Sequence, residues 1–207
     1  MYKTFTFLLF YIVYNTLFAQ INLTALSPAV NENFNTLPNS GTSATWTDNS
    51  TLANWYSDRA SIIINDGSAA TVGLQSFGAS ASTERALGSV GGTTHFAIRL
   101  KNNDVQDIVS LDVSFVGEQW RENINPSILD FQYQGVNAGG IADANSPSTG
   151  WIAVSTLDFA QKFNTTAQAL NGNLSINQTN KSATIPLTAT SGQEIWLRWR
   201  LAAGTNK

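Results

Sequence analysis

Charged side chains make up only 12% of this chain, so the places where they gather with amide and aromatic groups stand out. The densest is Glu118-Gln119-Trp120-Arg121, which follows directly on an alternating stretch from Leu111 to Val116. The second is Glu84-Arg85. Each lies beside a glycine, Gly117 and Gly88. Two chemistries fit these groups. Glutamate and arginine on neighbouring strands can form bidentate ion pairs that lock the register of a sheet; the candidates are Glu84, Arg85, Glu118 and Arg121. The same groups can face a ligand, with Trp120 stacking and Gln119, Arg121 and Glu118 hydrogen-bonding. The lock carries the greater weight, since breaking a buried ion pair is costly.

Aromatic residues form the next set. Trp46, Trp55 and Tyr56 sit in the polar stretch 35–61, near Asn49, Asn54 and Asp58. Ring faces beside amides and carboxylates are the components of a sugar site. Rings that cover an open end of the fold are an equal reading. Glu84 and Glu118 form a conceivable carboxylate pair for glycoside hydrolysis. The arginine near each in sequence favours an ionised structural carboxylate over a proton donor, so no catalytic residue is assigned. His95 is the only histidine and there is no cysteine. That excludes a disulfide framework, thiol catalysis and Cys-ligated metal sites, and zinc would lack ligands. No cofactor is expected. A structural Ca2+ is the one metal the composition leaves open, through turn residues such as Asp104, Asp107, Asp143 and Asn145. Their spacing matches no known calcium loop, and no metal ligand is assigned.

The elements that must position these residues read as strands. Ile62-Ile63-Ile64 is closed by the turn residues Asn65-Asp66-Gly67. Phe96, Ile98 and Leu100 alternate with polar partners until Asn102-Asn103-Asp104, and Ile108 to Val116 returns from that turn, predicting a hairpin or meander. Leu129, Phe131 and Tyr133 alternate, as do Ile195, Leu197, Trp199 and Leu201 opposite Trp196, Arg198 and Arg200. Pro186, within the stripe Ala183, Ile185, Leu187, predicts an edge strand or a bulge. Stretches 35–61 and 135–150 read as surface loops. Helical pattern is confined to the short run 165–170. The pattern predicts an all-β fold, an antiparallel, jelly-roll-like β-sandwich.

The amino terminus resembles a secretory leader. Lys3 precedes an uncharged apolar run from Thr4 to Phe18, and Ala19 offers a small residue for cleavage. The run is shorter than the ~20 residues of a spanning helix. We therefore expect residues 1–19 to be a cleaved signal peptide, and residues 20–207 to form a single β-sandwich domain of a secreted or cell-surface protein. Loss of Lys3 takes the formal charge from −3 to −4. The basic residues are scattered, which argues against nucleic-acid binding and against attraction to a membrane after cleavage. The strong strand ending at Leu201 stops in a turn-like tail. That predicts a domain lacking its closing strand, or belonging to a longer protein.

Four motifs occur in order: Phe34-Asn35-Thr36-Leu37-Pro38, Ser82-Thr83-Glu84-Arg85-Ala86-Leu87-Gly88, Gly117-Glu118-Gln119-Trp120-Arg121 and Ile195-Trp196-Leu197-Arg198-Trp199. Together they resemble an uncharacterised β-rich module of secreted and surface proteins of Bacteroidetes-like bacteria. The resemblance implies an accessory extracellular module, with covalent neighbouring domains that include nucleases or phosphatases in some relatives. It brings no catalytic residues. The first functional expectation is a non-catalytic module binding carbohydrate or another surface polymer within a larger secreted protein. The alternatives are a purely structural or adhesion spacer, and an accessory part of a secreted hydrolase (nuclease, phosphatase or glycosidase).

Overall fold

A computed structural model describes residues 20–24, 29–137 and 139–202. The expected leader, residues 1–19, lies outside them. The chain is all-β, close to half strand and with almost no helix. Its strands in order are β1 (Ile21–Leu23), β2 (Ser43–Thr45), β3 (Trp55–Ser57), β4 (Ser61–Asn65), β5 (Gly73–Phe77), β6 (Ala86–Val90), β7 (Thr94–Asn102) and β8 (Ile108–Glu118). There follow β9 (Arg121–Glu122), β10 (Ile128–Val136), β11 (Ile152–Ala153), β12 (Phe159–Ala160), β13 (Gln168–Ala169), β14 (Gln178–Ala189) and β15 (Glu194–Leu201). The run 165–170 is not helical: it contains β13, which pairs with β9.

The largest sheet has the order β1-β7-β15-β10-β11, with β3 also on β7 and β12 also on β10. A four-stranded sheet has the order β2-β4-β5-β6, and β8 pairs with β14. The sheets are mixed as well as antiparallel: β1 runs parallel to β7, and β4 parallel to β5. The second parallel pair has a local cause. Asn65 accepts from the Gly67 and Ala69 amides at 2.9 and 3.2 Å and donates to Gln75 at 3.0 Å. That side chain shapes a wide return instead of a two-residue hairpin, with Gly67 at φ +92°.

The expected pairing of β7 with β8 does not occur. Both edges of β7 are taken, by β15 on one side and by β3 and β1 on the other. Buried Asn102 ends β7 and bonds the Gln106 and Ala189 carbonyls at 2.8 and 2.7 Å. The chain then leaves the sheet, and β8 pairs with β14 instead. The stretch 35–61 is also more than loop. It supplies β2 and β3, because Trp55 and Tyr56 pair with β7 and are buried. The Pro186 expectation holds: among the described residues β14 pairs along one edge only, and its register shifts between Pro186 and Ala189.

One apolar core draws on the large sheet (Phe96, Ile98, Phe131, Trp199), on β4 and β5 (Ile62, Leu74) and on β14 (Ile185). Trp199 is its centre, with ring centroids of Phe131, Phe115, Trp55 and Phe96 within 5.0 to 5.9 Å. The other face of the large sheet is also covered. Trp196 is fully buried with Tyr56, Ala97, Ile141 and Ala144. Arg198 lies 3.9 Å over Trp151 and bonds the Ala144 carbonyl, which ties loop 139–151 down. Being buried on both sides, β15 carries large side chains on both of its stripes.

Candidate functional site

Three of the four motifs converge on β5, and two of its residues, Ser76 and Phe77, join them. Ser76 donates its hydroxyl to the Pro38 carbonyl at 2.7 Å and accepts from Arg85 Nε at 2.9 Å. Arg85 also donates to the carbonyls of Ser76 and Ala79, and it is 2% exposed. Phe77 stacks on Trp120, with centroids 6.2 Å apart and planes 6° apart. Sequence reading missed this pair because neither residue is charged and neither stands in a motif.

The register-lock expectation is corrected in its chemistry. Among the described residues neither Glu84–Arg85 nor Glu118–Arg121 is an ion pair; those found are Arg59–Asp58, His95–Asp58 and Arg99–Glu194. Arg121 donates to the carbonyls of Gly67 and Ser68 at 3.0 and 2.9 Å. Glu84 accepts from Asn173 at 2.6 Å. Glu118 accepts from the Trp120 indole at 2.8 Å and from Gln178 at 3.3 Å. Gln119 bonds the backbone of Lys162 and Phe163 through both ends of its amide, at 2.8, 3.0 and 2.7 Å. The arginines therefore lock loops by way of backbone carbonyls, not by way of carboxylates.

Burial pushes the Glu118 carboxyl up and the nearby Glu84 charge adds to this, against the hydrogen bonds from Trp120 and Gln178. Next to it, Glu122 is held down to about 2 by hydrogen bonds from the Gln168 side chain and from the Thr165 amide and hydroxyl and the Thr166 amide.

The rings expected to form a sugar platform are covered. Trp46, Trp55, Tyr56 and Trp120 are 4%, 3%, 7% and 3% exposed. Trp55 stacks on Trp199 and meets Phe34 edge-on. Trp46 donates to Asp48 at 2.7 Å. His95 is buried, and its Nδ1 lies 2.6 Å from Asp58. Burial raises the Asp58 carboxyl, but the hydrogen bonds and charge of His95, with the charge of Arg59, bring it below its ordinary value. Two of the turn residues considered for calcium serve the backbone: Asp104 accepts from the Gln106 amide and Asp143 from the Asn145 amide. Among the described residues no three His, Asp or Glu side chains gather in a way that would hold a metal.

A cleft of about 1530 Å³ is lined by residues of β6 and β8, with Glu84 and Glu118 among its lining residues. Its lining includes Leu87 on β6, Val113 and Phe115 on β8, and Phe96, Leu197 and Trp199 on the large sheet. Leu111, Val113 and Phe115, which alternate as core residues do, are only half-buried because they border this opening. Comparison with known protein families, curated proteins and solved structures finds no match.

Proposed function

We propose that the chain is a non-catalytic extracellular module of a larger secreted protein that acts through its fold, as a structural or adhesion unit. One observation carries this reading. The polar side chains of the motifs, Arg85, Gln119 and Arg121, are spent on the chain's own backbone, and the candidate stacking rings are covered. A site keeps its polar groups and ring faces for its ligand. In the same proposal the sheets pack as a two-layered, jelly-roll-like sandwich, supported by the core that the large sheet shares with β4, β5 and β14.

A second reading, binding of carbohydrate or another linear polymer, draws on the cleft, which has Glu84, Glu118 and Trp199 in its lining. The two are separated on a glycan array and by polysaccharide pull-down. The structural reading expects background signal for every glycan. Binding that is lost in Glu84→Gln while thermal stability holds would replace it with the polymer reading.

A further inference from the structure

The loop 170–177 secures the motif junction from outside the motifs. The Leu170 amide donates to the Trp120 carbonyl at 2.8 Å, and the Gln119 amide donates to the Asn177 carbonyl at 2.9 Å. Asn173 donates to Glu84 at 2.6 Å. Among these anchors stands Asn171-Gly172. The Asn171 carbonyl accepts from the Leu174 amide at 3.1 Å and from Asn177 Nδ2 at 2.8 Å. Packing explains the glycine. Gly172 is buried against Trp120, and a Cβ there would lie 2.3 Å from the indole nitrogen, a clash that a packed ring cannot absorb cheaply.

Trp120 thus imposes a chemically labile sequence on the loop. Asn171-Gly172 is the one Asn-Gly pair in the chain. With no side chain on the following residue, its backbone nitrogen can turn onto the asparagine carboxamide carbon with little steric hindrance. Three features prepare Asn171 for that attack. The residue is exposed. Its Oδ1 accepts from the Asn173 amide at 3.1 Å, a turn that folds the side chain back along the backbone and polarises its C=O where negative charge would develop. Among the described residues neither the leaving group, Asn171 Nδ2, nor the nucleophile, the Gly172 amide, is held in a hydrogen bond.

We propose that Asn171 is a self-modification site, converted through a cyclic imide with Gly172 into aspartate and isoaspartate, and that the isoaspartyl form releases the 170–177 loop from the motif junction. The Gly172 nitrogen gives its proton to water or hydroxide and bonds Asn171 Cγ. The Cγ–Nδ2 bond breaks, and ammonia leaves with a proton from solvent. Water then opens the imide. Opening at Cγ gives aspartate. Opening at the backbone carbonyl carbon leaves Gly172 bonded to Cγ, which adds one atom to the main chain and turns the former Asn171 carbonyl into a carboxylate. Gly172 has no slack against Trp120 to take up that atom. The new charge lies in the loop that holds Glu84, whose own charge already acts on Glu118. This site is independent of whether the module is structural or binds a polymer.

The test incubates the chain in mildly alkaline buffer, folded and in urea, and follows it over days by peptide mass spectrometry. Electron-transfer fragmentation separates isoaspartate from aspartate. In the folded protein Asn171 should be the first asparagine to convert. Aged protein rich in isoaspartate should melt about 4–8 °C below fresh protein, the size of two lost hydrogen bonds, and should shift the near-UV circular dichroism of the Phe77–Trp120 pair. Asn171→Gln, whose longer side chain closes a less favourable ring, should keep its mass and its Tm through the same incubation. Asn171→Asp supplies the charge without the added atom and should fall less than the aged protein. Conversion in urea alone overturns the site. Conversion in the folded chain with Tm and circular dichroism unchanged overturns the release of the loop.

Discussion

Replacing Arg85 by methionine isolates the lock at the motif junction. The side chain is 2% exposed and makes three charge-assisted hydrogen bonds, to the Ser76 hydroxyl and to the carbonyls of Ser76 and Ala79. Such bonds are worth about 1.5–3 kcal/mol each. Two effects reduce the net loss. The Ala79 carbonyl keeps a second donor, the Ser82 amide, and a buried guanidinium costs solvation, which is why burial depresses its pKa. Methionine fills similar space and removes that cost. The expected net loss is about 2–4 kcal/mol. For a domain of this size each kcal/mol moves Tm by about 2–4 °C, so Arg85→Met should melt roughly 5–15 °C lower. Urea titration followed by Trp fluorescence gives the free energy, with an unchanged slope showing that the two-state comparison holds. Arg85→Lys should fall between, because an ammonium cannot reach three acceptors in one plane. A loss of less than about 0.5 kcal/mol, the size of an ordinary surface substitution, would refute the argument that this arginine holds the motifs together.

Gly67→Ala should be worse tolerated than a surface change. Its Cβ would sit 1.9 Å from the Trp120 carbonyl oxygen at a φ of +92°, so a loss above about 2 kcal/mol is expected in the same titration. Gly172→Ala, whose Cβ would meet the Trp120 indole at 2.3 Å, should shift the near-UV circular dichroism of the Phe77–Trp120 pair. Glu122 should supply acid sensitivity. Its folded pKa of about 2 lies below the ordinary 4.5, so its stabilisation is present above 4.5 and is lost as pH falls through about 2. Glu122→Gln should flatten that limb of the stability–pH curve, and a curve of unchanged slope would contradict the assignment. Glu118 has the opposite sign. Its raised pKa means that its ionised form weakens the fold, so Glu118→Gln should leave stability at pH 7 unchanged or slightly higher. A drop of several degrees in Tm would show that the carboxylate itself is needed.

Most strands were legible in the sequence because alternation reports burial, and burial on one face is local information. β7, β8, β10, β14 and β15 all fall where apolar and polar residues take turns. Their partners were not legible. Nothing near Ile108 signals that Asn102 turns the chain out of the sheet, or that β8 waits for residues as distant as Gln178. The motif junction was half-read. Arg85, Gln119 and Arg121 were singled out by charge and amide type, yet their partners are mostly backbone groups, which carry no letter in a sequence. The tryptophans misled for a related reason: Trp46 and Trp55 stand among polar residues along the chain but pack under them in space. Arg99 and Glu194, joined across β7 and β15, were missed altogether, since each looks like an ordinary strand polar residue until the register is known.

The central ladder joins Thr94 to Leu201 and Lys101 to Glu194, so its two strands lie far apart in the sequence. Loop closure of that length must precede any reward from the pairing. Folding should therefore be slow, in the millisecond-to-second range of proteins dominated by distant contacts. A nascent chain that has not yet emitted β15 has no middle for its largest sheet. Until it is made, β7 and β10 have no common partner to hold them in one sheet.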